Sequence, residues 1–162
     1  MGFCGVPEGG KALALTLAHI CKMQYIFPEK KVTAVATDSS REETELVFSR
    51  HVPEKGERWW IVEDVCNKFS TASALITLIE SYGAEVAGIL CFLNESTIVE
   101  EIFSLGVECG APKYPVVALV RKPTKQYSQD DPEVTDDIAR GNVVWNPKVE
   151  WDKLSKAMAE TR

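Results

Sequence analysis

Three apolar runs free of charged residues constrain this chain most: Trp59–Val62, Val86–Leu93 and Pro115–Val120. A strand with one wet face alternates apolar and polar residues. An unbroken apolar run instead marks a strand covered on both faces, as in parallel sheets flanked by helices. The intervening pattern agrees. Residues 71–82 place Ala72, Leu75, Ile76, Leu78 and Ile79 on one helical side, and Gly83 stands where a glycine ends a helix. Upstream, Phe3–Val6 is a shorter run, ended by Pro7-Glu8-Gly9-Gly10. It precedes a helical pattern over Lys11–Met23, then a strand over Gln24–Phe27 closed by Pro28. The expected fold class is α/β, a single domain over residues 1–162 with a mainly parallel central sheet flanked by helices.

The remaining segments carry weaker signals. Residues 29–57 are polar and poorly periodic apart from Leu46-Val47-Phe48, which reads as a long connection of the functional or mobile kind. Thr97 and Glu100 have capping-box spacing, predicting a helix through Leu105 closed by Gly106. Asp130, Asp131, Glu133, Asp136 and Asp137 read as a solvated loop or a helix start. Val143–Trp145 reads as a short strand and Trp151–Thr161 as a terminal helix, with Trp145 and Trp151 packing that helix onto the sheet. Trp59 and Trp60 read as packing residues, and His51 as a surface residue near the long polar connection.

Charge excludes some functions. The chain holds 18 basic and 24 acidic side chains, a net charge of −6. That argues against a general nucleic-acid binder, which would want a basic surplus. Residues 1–58 are balanced, with 8 basic and 8 acidic groups, so a local anion site there is compatible with the global charge. No apolar run approaches the roughly 20 residues of a membrane-spanning helix. The opening residues lack the pattern of a signal peptide. Cys4, Cys21, Cys66, Cys91 and Cys109 form no C-x-x-C pair, and Cys21 and Cys91 read as small core residues. A reduced, cytoplasmic setting is expected.

Two strand-to-helix junctions carry the chemistry. In the first, Glu63 and Asp64 follow an apolar strand. Carboxylates at the C-terminal end of a parallel strand face the crevice where open α/β sheets bind ligands. Such a pair can accept hydrogen bonds from two vicinal sugar hydroxyls or hold a hydrated Mg²⁺. The residues that follow, Cys66–Thr71, lead to a helix N-terminus, where backbone N–H groups favour anions. Together they describe a pocket for a ribose 5-phosphate; the plain alternative is a solvated strand end with an ordinary cap at Ser70 or Thr71. The second junction is Gly5-Val6-Pro7-Glu8-Gly9-Gly10-Lys11. Its glycines let N–H groups approach an anion and Lys11 adds charge. The spacing is that of neither a Walker loop nor G-x-G-x-x-G, so an ordinary tight turn is its plain alternative.

The stretch from Ile61-Val62-Glu63-Asp64 to Gly83-Ala84-Glu85-Val86 resembles the phosphoribosyl pyrophosphate (PRPP) region of type I phosphoribosyltransferases. Gly5–Lys11 resembles their pyrophosphate loop, and Glu54-Lys55-Gly56-Glu57-Arg58 is similar to the orotate branch. The resemblance implies transfer of the 5-phosphoribosyl group from PRPP to a nucleobase-like acceptor, with release of pyrophosphate. It implies ribose binding by Glu63 and Asp64, and 5-phosphate binding by Asn67, Lys68, Phe69, Ser70 and Thr71. Pyrophosphate would meet Pro7, Glu8, Gly9, Gly10 and Lys11. Mg²⁺ would be carried on PRPP, with Asp64 as a candidate contact and no dedicated metal site. The polar stretch 29–50 would be the family's closing loop, with Lys30, Lys31 and Arg41 as its catalytic cations, and a homodimer is expected.

The chain departs from that pattern in ways that bear on function. The family's phosphate loop usually reads Thr-Thr-Gly-Gly, whereas here Asn67-Lys68-Phe69-Ser70 lacks both glycines. Orotate enzymes usually carry Asp-Arg after the next strand. This chain has Asn94-Glu95, and Glu95 would repel an anionic base. The Lys-x-His-Gly run is missing, and the sequence opens almost at the pyrophosphate loop, so the N-terminal hood is expected to be absent. Residues 121–162 would be a C-terminal hood or packing extension, with Trp145-Asn146-Pro147 as a base-stacking element. Two other readings stand beside an orotate-type transferase: a catalytically silent PRPP-fold binding or regulatory protein, and a transferase for another base.

Overall fold

The computed structural model describes residues 1–34, 43–128 and 130–160. The chain divides into two compact units, Met1–Thr124 and Lys125–Arg162. The first unit holds a six-stranded sheet in the order β2-β1-β5-β6-β8-β7. Its strands are β1 (Gly2–Gly5), β2 (Gln24–Ile26), β5 (Arg58–Cys66), β6 (Glu85–Asn94), β7 (Ile102–Ser104) and β8 (Lys113–Arg121). Every pairing from β2 to β8 is parallel, and only β7 runs antiparallel to β8. A separate antiparallel hairpin joins β3 (Glu29–Ala34) to β4 (Glu43–Val47).

Helices cover both faces, which is why the strands needed no polar alternation. Helix α1 (Gly10–Cys21) packs Ala14 and Ala18 against Phe3 and Val62. Helix α2 (Ser70–Ser81) packs Leu75, Ile76 and Ile79 into the larger cluster with Trp59, Ile61 and Ile89 on the other face. Gly83, with φ of +77°, closes α2 by donating its N–H to the Glu80 carbonyl at 2.9 Å. Tyr114 on β8 donates its hydroxyl to Glu80 at 2.8 Å, tying the same helix to the sheet.

Several expectations are corrected. Residues 29–34 and 43–47 are a strand pair rather than an unstructured connection. No helix forms over 97–105. The buried Asn94 side chain donates to the Val99 and Glu100 carbonyls at 2.9 and 3.3 Å and accepts from the Ser96 N–H. Ser96 Oγ in turn accepts from the Ile98 and Val99 N–H groups. Side chains thus take the backbone groups a helix would use, and Ile102–Ser104 pair with β8 instead. Cys21 is exposed, unlike Cys91.

In the second unit, Asp131 accepts from the Glu133 N–H and caps α3 (Pro132–Ala139), so the acidic cluster is a helix start. Val143–Trp145 form no strand. Helix α4 (Trp151–Glu160) matches expectation, with Thr161 outside the described residues. Trp145 and Trp151 are both more than half exposed, so neither packs as a core residue. No described helix is long and apolar enough to cross a membrane.

Candidate active site

The parallel register gathers both junctions at the C-terminal ends of neighbouring strands. Gly5 at the end of β1 lies opposite Val62 in β5, and the Val6 N–H donates to the Val62 carbonyl at 2.9 Å. From there the chain turns through a cis peptide bond between Pro7 and Glu8 and enters α1 at Gly10. A Cβ on Gly9 would fall inside the Asp64 carboxylate, and one on Gly10 would overlap the Val62 carbonyl oxygen. The glycines of one junction therefore lie directly against the carboxylate of the other.

Strand β5 does not stop at the carboxylates. It runs on to Cys66, so Glu63 and Asp64 are sheet residues rather than the start of a loop. Glu63 is part-buried and Asp64 exposed. Burial, followed by the charge of Asp64 and a hydrogen bond with it, pushes Glu63 up to about 8. The carboxyl therefore keeps its proton at neutral pH in the free protein. The Lys30 ammonium opposes this shift, which places Lys30 within electrostatic reach of Glu63. Its neighbour Lys31 is held by Glu45 across the hairpin at 3.6 Å. Successive strand residues point to opposite faces, which separates the two lysines. Arg41 lies outside the described residues.

Beneath the carboxylates, Cys66 and Cys91 are buried on neighbouring strands. A hydrogen bond donated to Cys91, then burial, pushes the Cys66 thiol up. That keeps Cys66 protonated.

The 67–71 junction resolves the missing glycines. Phe69 stands at the N-cap of α2 with φ of +57°, the left-handed conformation that glycine favours. Its ring leaves the helix end for the core, buried and stacked on Phe103 with centroids 5.2 Å apart. No side chain caps α2, and Ser70 and Lys68 are exposed beside its first turn, with Thr71 half-buried. Asn67 donates to Glu95 at 3.5 Å, and the Glu95 N–H donates to the Cys66 carbonyl at 2.8 Å. The site thus gains Glu95 at its border. Lys11 does not project a free charge. It bonds both Glu8 oxygens at 2.9 Å and lies 4.8 Å from the Phe27 ring centroid.

No protein-family model and no curated protein matches the sequence. Solved structures do. A purine phosphoribosyltransferase from Pyrococcus horikoshii superposes with a TM-score of 0.52 at 20% identity, covering 78% of each chain. An adenine phosphoribosyltransferase from Rhodothermus marinus gives 0.52 at 21%, covering 75% of this chain and 69% of its own. An orotate phosphoribosyltransferase from Aeropyrum pernix gives 0.50 at 17%, covering 74% and 59%.

The fold is that of the phosphoribosyltransferases. The mainly parallel α/β sheet read from the three apolar runs is therefore present. Within this fold Glu63, Asp64 and residues 7–11 lie together at the C-terminal ends of the parallel strands, where α2 also starts.

Proposed function

We propose that the chain is a PRPP-dependent phosphoribosyltransferase acting on a nitrogen base. One observation carries this reading: Gly9 packs against the Asp64 carboxylate, so the loop suited to pyrophosphate and the pair suited to ribose hydroxyls share a crevice. Glu63 and Asp64 accept the two ribose hydroxyls. The uncapped first turn of α2, with Ser70, Thr71 and Lys68, takes the 5-phosphate. Residues 7–11 offer N–H groups to pyrophosphate. The oxygen-only donors Glu63 and Asp64 would suit Mg²⁺ carried on PRPP, which would neutralise pyrophosphate charge.

In the reaction a base nitrogen displaces pyrophosphate from ribose carbon 1. The transition state resembles an oxocarbenium ion, so positioning and charge stabilisation supply the acceleration. Lys30, whose charge acts on Glu63, would be the cation of this reaction. Sugar hydroxyls donating to Glu63 favour its ionised form, so substrate binding expels its proton. Glu95 beside Asn67 disfavours an anionic base such as orotate and favours an uncharged one. A homodimer belongs to the same reading.

Calorimetric titration of PRPP with Mg²⁺ tests it. The native chain is expected to bind and Asp64→Asn to lose at least about tenfold in affinity, as for a hydrogen bond to a charged group. A panel of bases assayed for pyrophosphate release then identifies the acceptor. No heat from the native chain would refute the proposal.

A further inference from the structure

Lys11 is the only cationic side chain of the 7–11 junction, and Glu8 holds it. Both Glu8 carboxylate oxygens accept from the Lys11 ammonium at 2.9 Å. The Glu8 carbonyl also accepts the Lys11 N–H at 3.4 Å. One residue therefore engages both donors that Lys11 could turn toward an anion. Elsewhere in the turn, Pro7 has no N–H, and the Val6 N–H is bonded to the Val62 carbonyl. That leaves the N–H groups of Glu8, Gly9 and Gly10, with a carboxylate standing beside them.

The two partners are unequally placed. The Lys11 side chain is 23% exposed, with its ammonium 4.8 Å from the Phe27 ring centroid. The Glu8 side chain is 76% exposed. A cation beside an aromatic face is attracted to it, which helps to keep Lys11 in place. Glu8 has open solvent to turn into. An anion reaching the junction thus meets an anchored lysine and a carboxylate that can leave. An exposed ion pair of this kind shifts an equilibrium by up to about fivefold. A polyanion can overcome that, and its grip on the junction is weakened by the same factor.

We propose that Glu8 is an intramolecular rival of pyrophosphate for Lys11, loosening the junction's hold on the departing pyrophosphate and speeding its release. The inference rests on the assignment of residues 7–11 to pyrophosphate made above. In the free chain the ammonium sits on Glu8. When the pyrophosphate group docks, Lys11 exchanges one anion for the other and Glu8 turns to solvent. On release the carboxylate takes the ammonium back. Glu8 acts through Lys11 and is a positioning residue. A purely structural role, as a carboxylate beside the positive end of α1, would give lower stability on its removal and no gain in affinity.

The test is calorimetric titration of inorganic pyrophosphate, with Mg²⁺ held constant, into the native full chain, Glu8→Gln, Lys11→Met and the double variant. Glu8→Gln, an exposed substitution, is expected to keep its melting temperature and bind pyrophosphate about fivefold more tightly. The gain is expected to vanish when Lys11→Met is added. An affinity that Glu8→Gln leaves unchanged or lowers overturns the proposal. So does a gain that persists with Lys11→Met, since Glu8 would then repel pyrophosphate directly. Pyrophosphate that binds none of the four chains also overturns it. In that case PRPP bound by the native chain would spare the transferase reading, and an absence of PRPP binding would remove both.

Discussion

The two strand-to-helix junctions do similar jobs with opposite materials. Both end a parallel strand, both enter a helix whose start has no side-chain cap, and both lie at the C-terminal ends of neighbouring strands. The first uses Gly9 and Gly10 because a Cβ at either place would collide with β5. The second uses Phe69, whose backbone takes a glycine-like turn while its ring joins the core. What the second junction needs is a left-handed residue at the helix start. A left-handed turn costs a non-glycine residue about 1–2 kcal/mol. Burying a phenylalanine offsets that with about 1.5–3 kcal/mol. This strand-to-helix junction therefore takes a left-handed turn without glycine.

The largest expected effect breaks the second junction. Phe69→Ala should destabilise the protein by about 3–5 kcal/mol, measured by urea unfolding, since it empties a buried ring site and keeps the strained turn. Phe69→Gly should be less damaging than Phe69→Ala, by about 1 kcal/mol, a reversal of the usual order. Equal stabilities would show that the turn relaxes when the ring is gone.

The first junction should separate stability from binding. Gly10→Ala pushes a methyl against the Val62 backbone oxygen, which cannot move aside, at a cost of about 1–3 kcal/mol. Gly9→Ala meets only the exposed Asp64 side chain, so its melting temperature should barely change while PRPP affinity falls. If both variants lose stability alike, Asp64 is held more firmly than its exposure implies.

The effect that depends on pH concerns Glu63. Its carboxyl titrates near 8 in the folded chain and near 4.5 when unfolded, so the folded state holds more protons between those values. Stability must therefore fall as pH rises through that window. Glu63→Gln should flatten the slope of melting temperature between about pH 5 and 8. An unchanged slope would assign it to other groups.

The sequence made the sheet legible because burial on both faces leaves a continuous apolar run. It hid the hairpin because β3 and β4 contain Lys30, Lys31, Glu43 and Glu45, with no apolar period to read. The capping-box spacing at Thr97 and Glu100 misleads because Asn94 and Ser96, just upstream, bond the backbone of residues 98–100 instead. At the site, the carboxylate pair and the Gly9-Gly10 turn were visible as residues. Their contact was not, because it depends on the register of β1 with β5. Strand alternation separates Lys30 from Lys31 only once the pairing of β3 with β4 is known.

The continuation of β5 past its two carboxylates has a thermodynamic consequence. The ladder to β6 pairs Glu63 with Cys91 and Val65 with Leu93, so the backbone on both sides of Asp64 is already immobilised. Freezing a flexible residue costs about 1–2 kcal/mol in conformational entropy. A ligand docking on these two groups would meet a backbone whose ordering was completed when the protein folded, and its affinity would not be discounted for arranging that backbone.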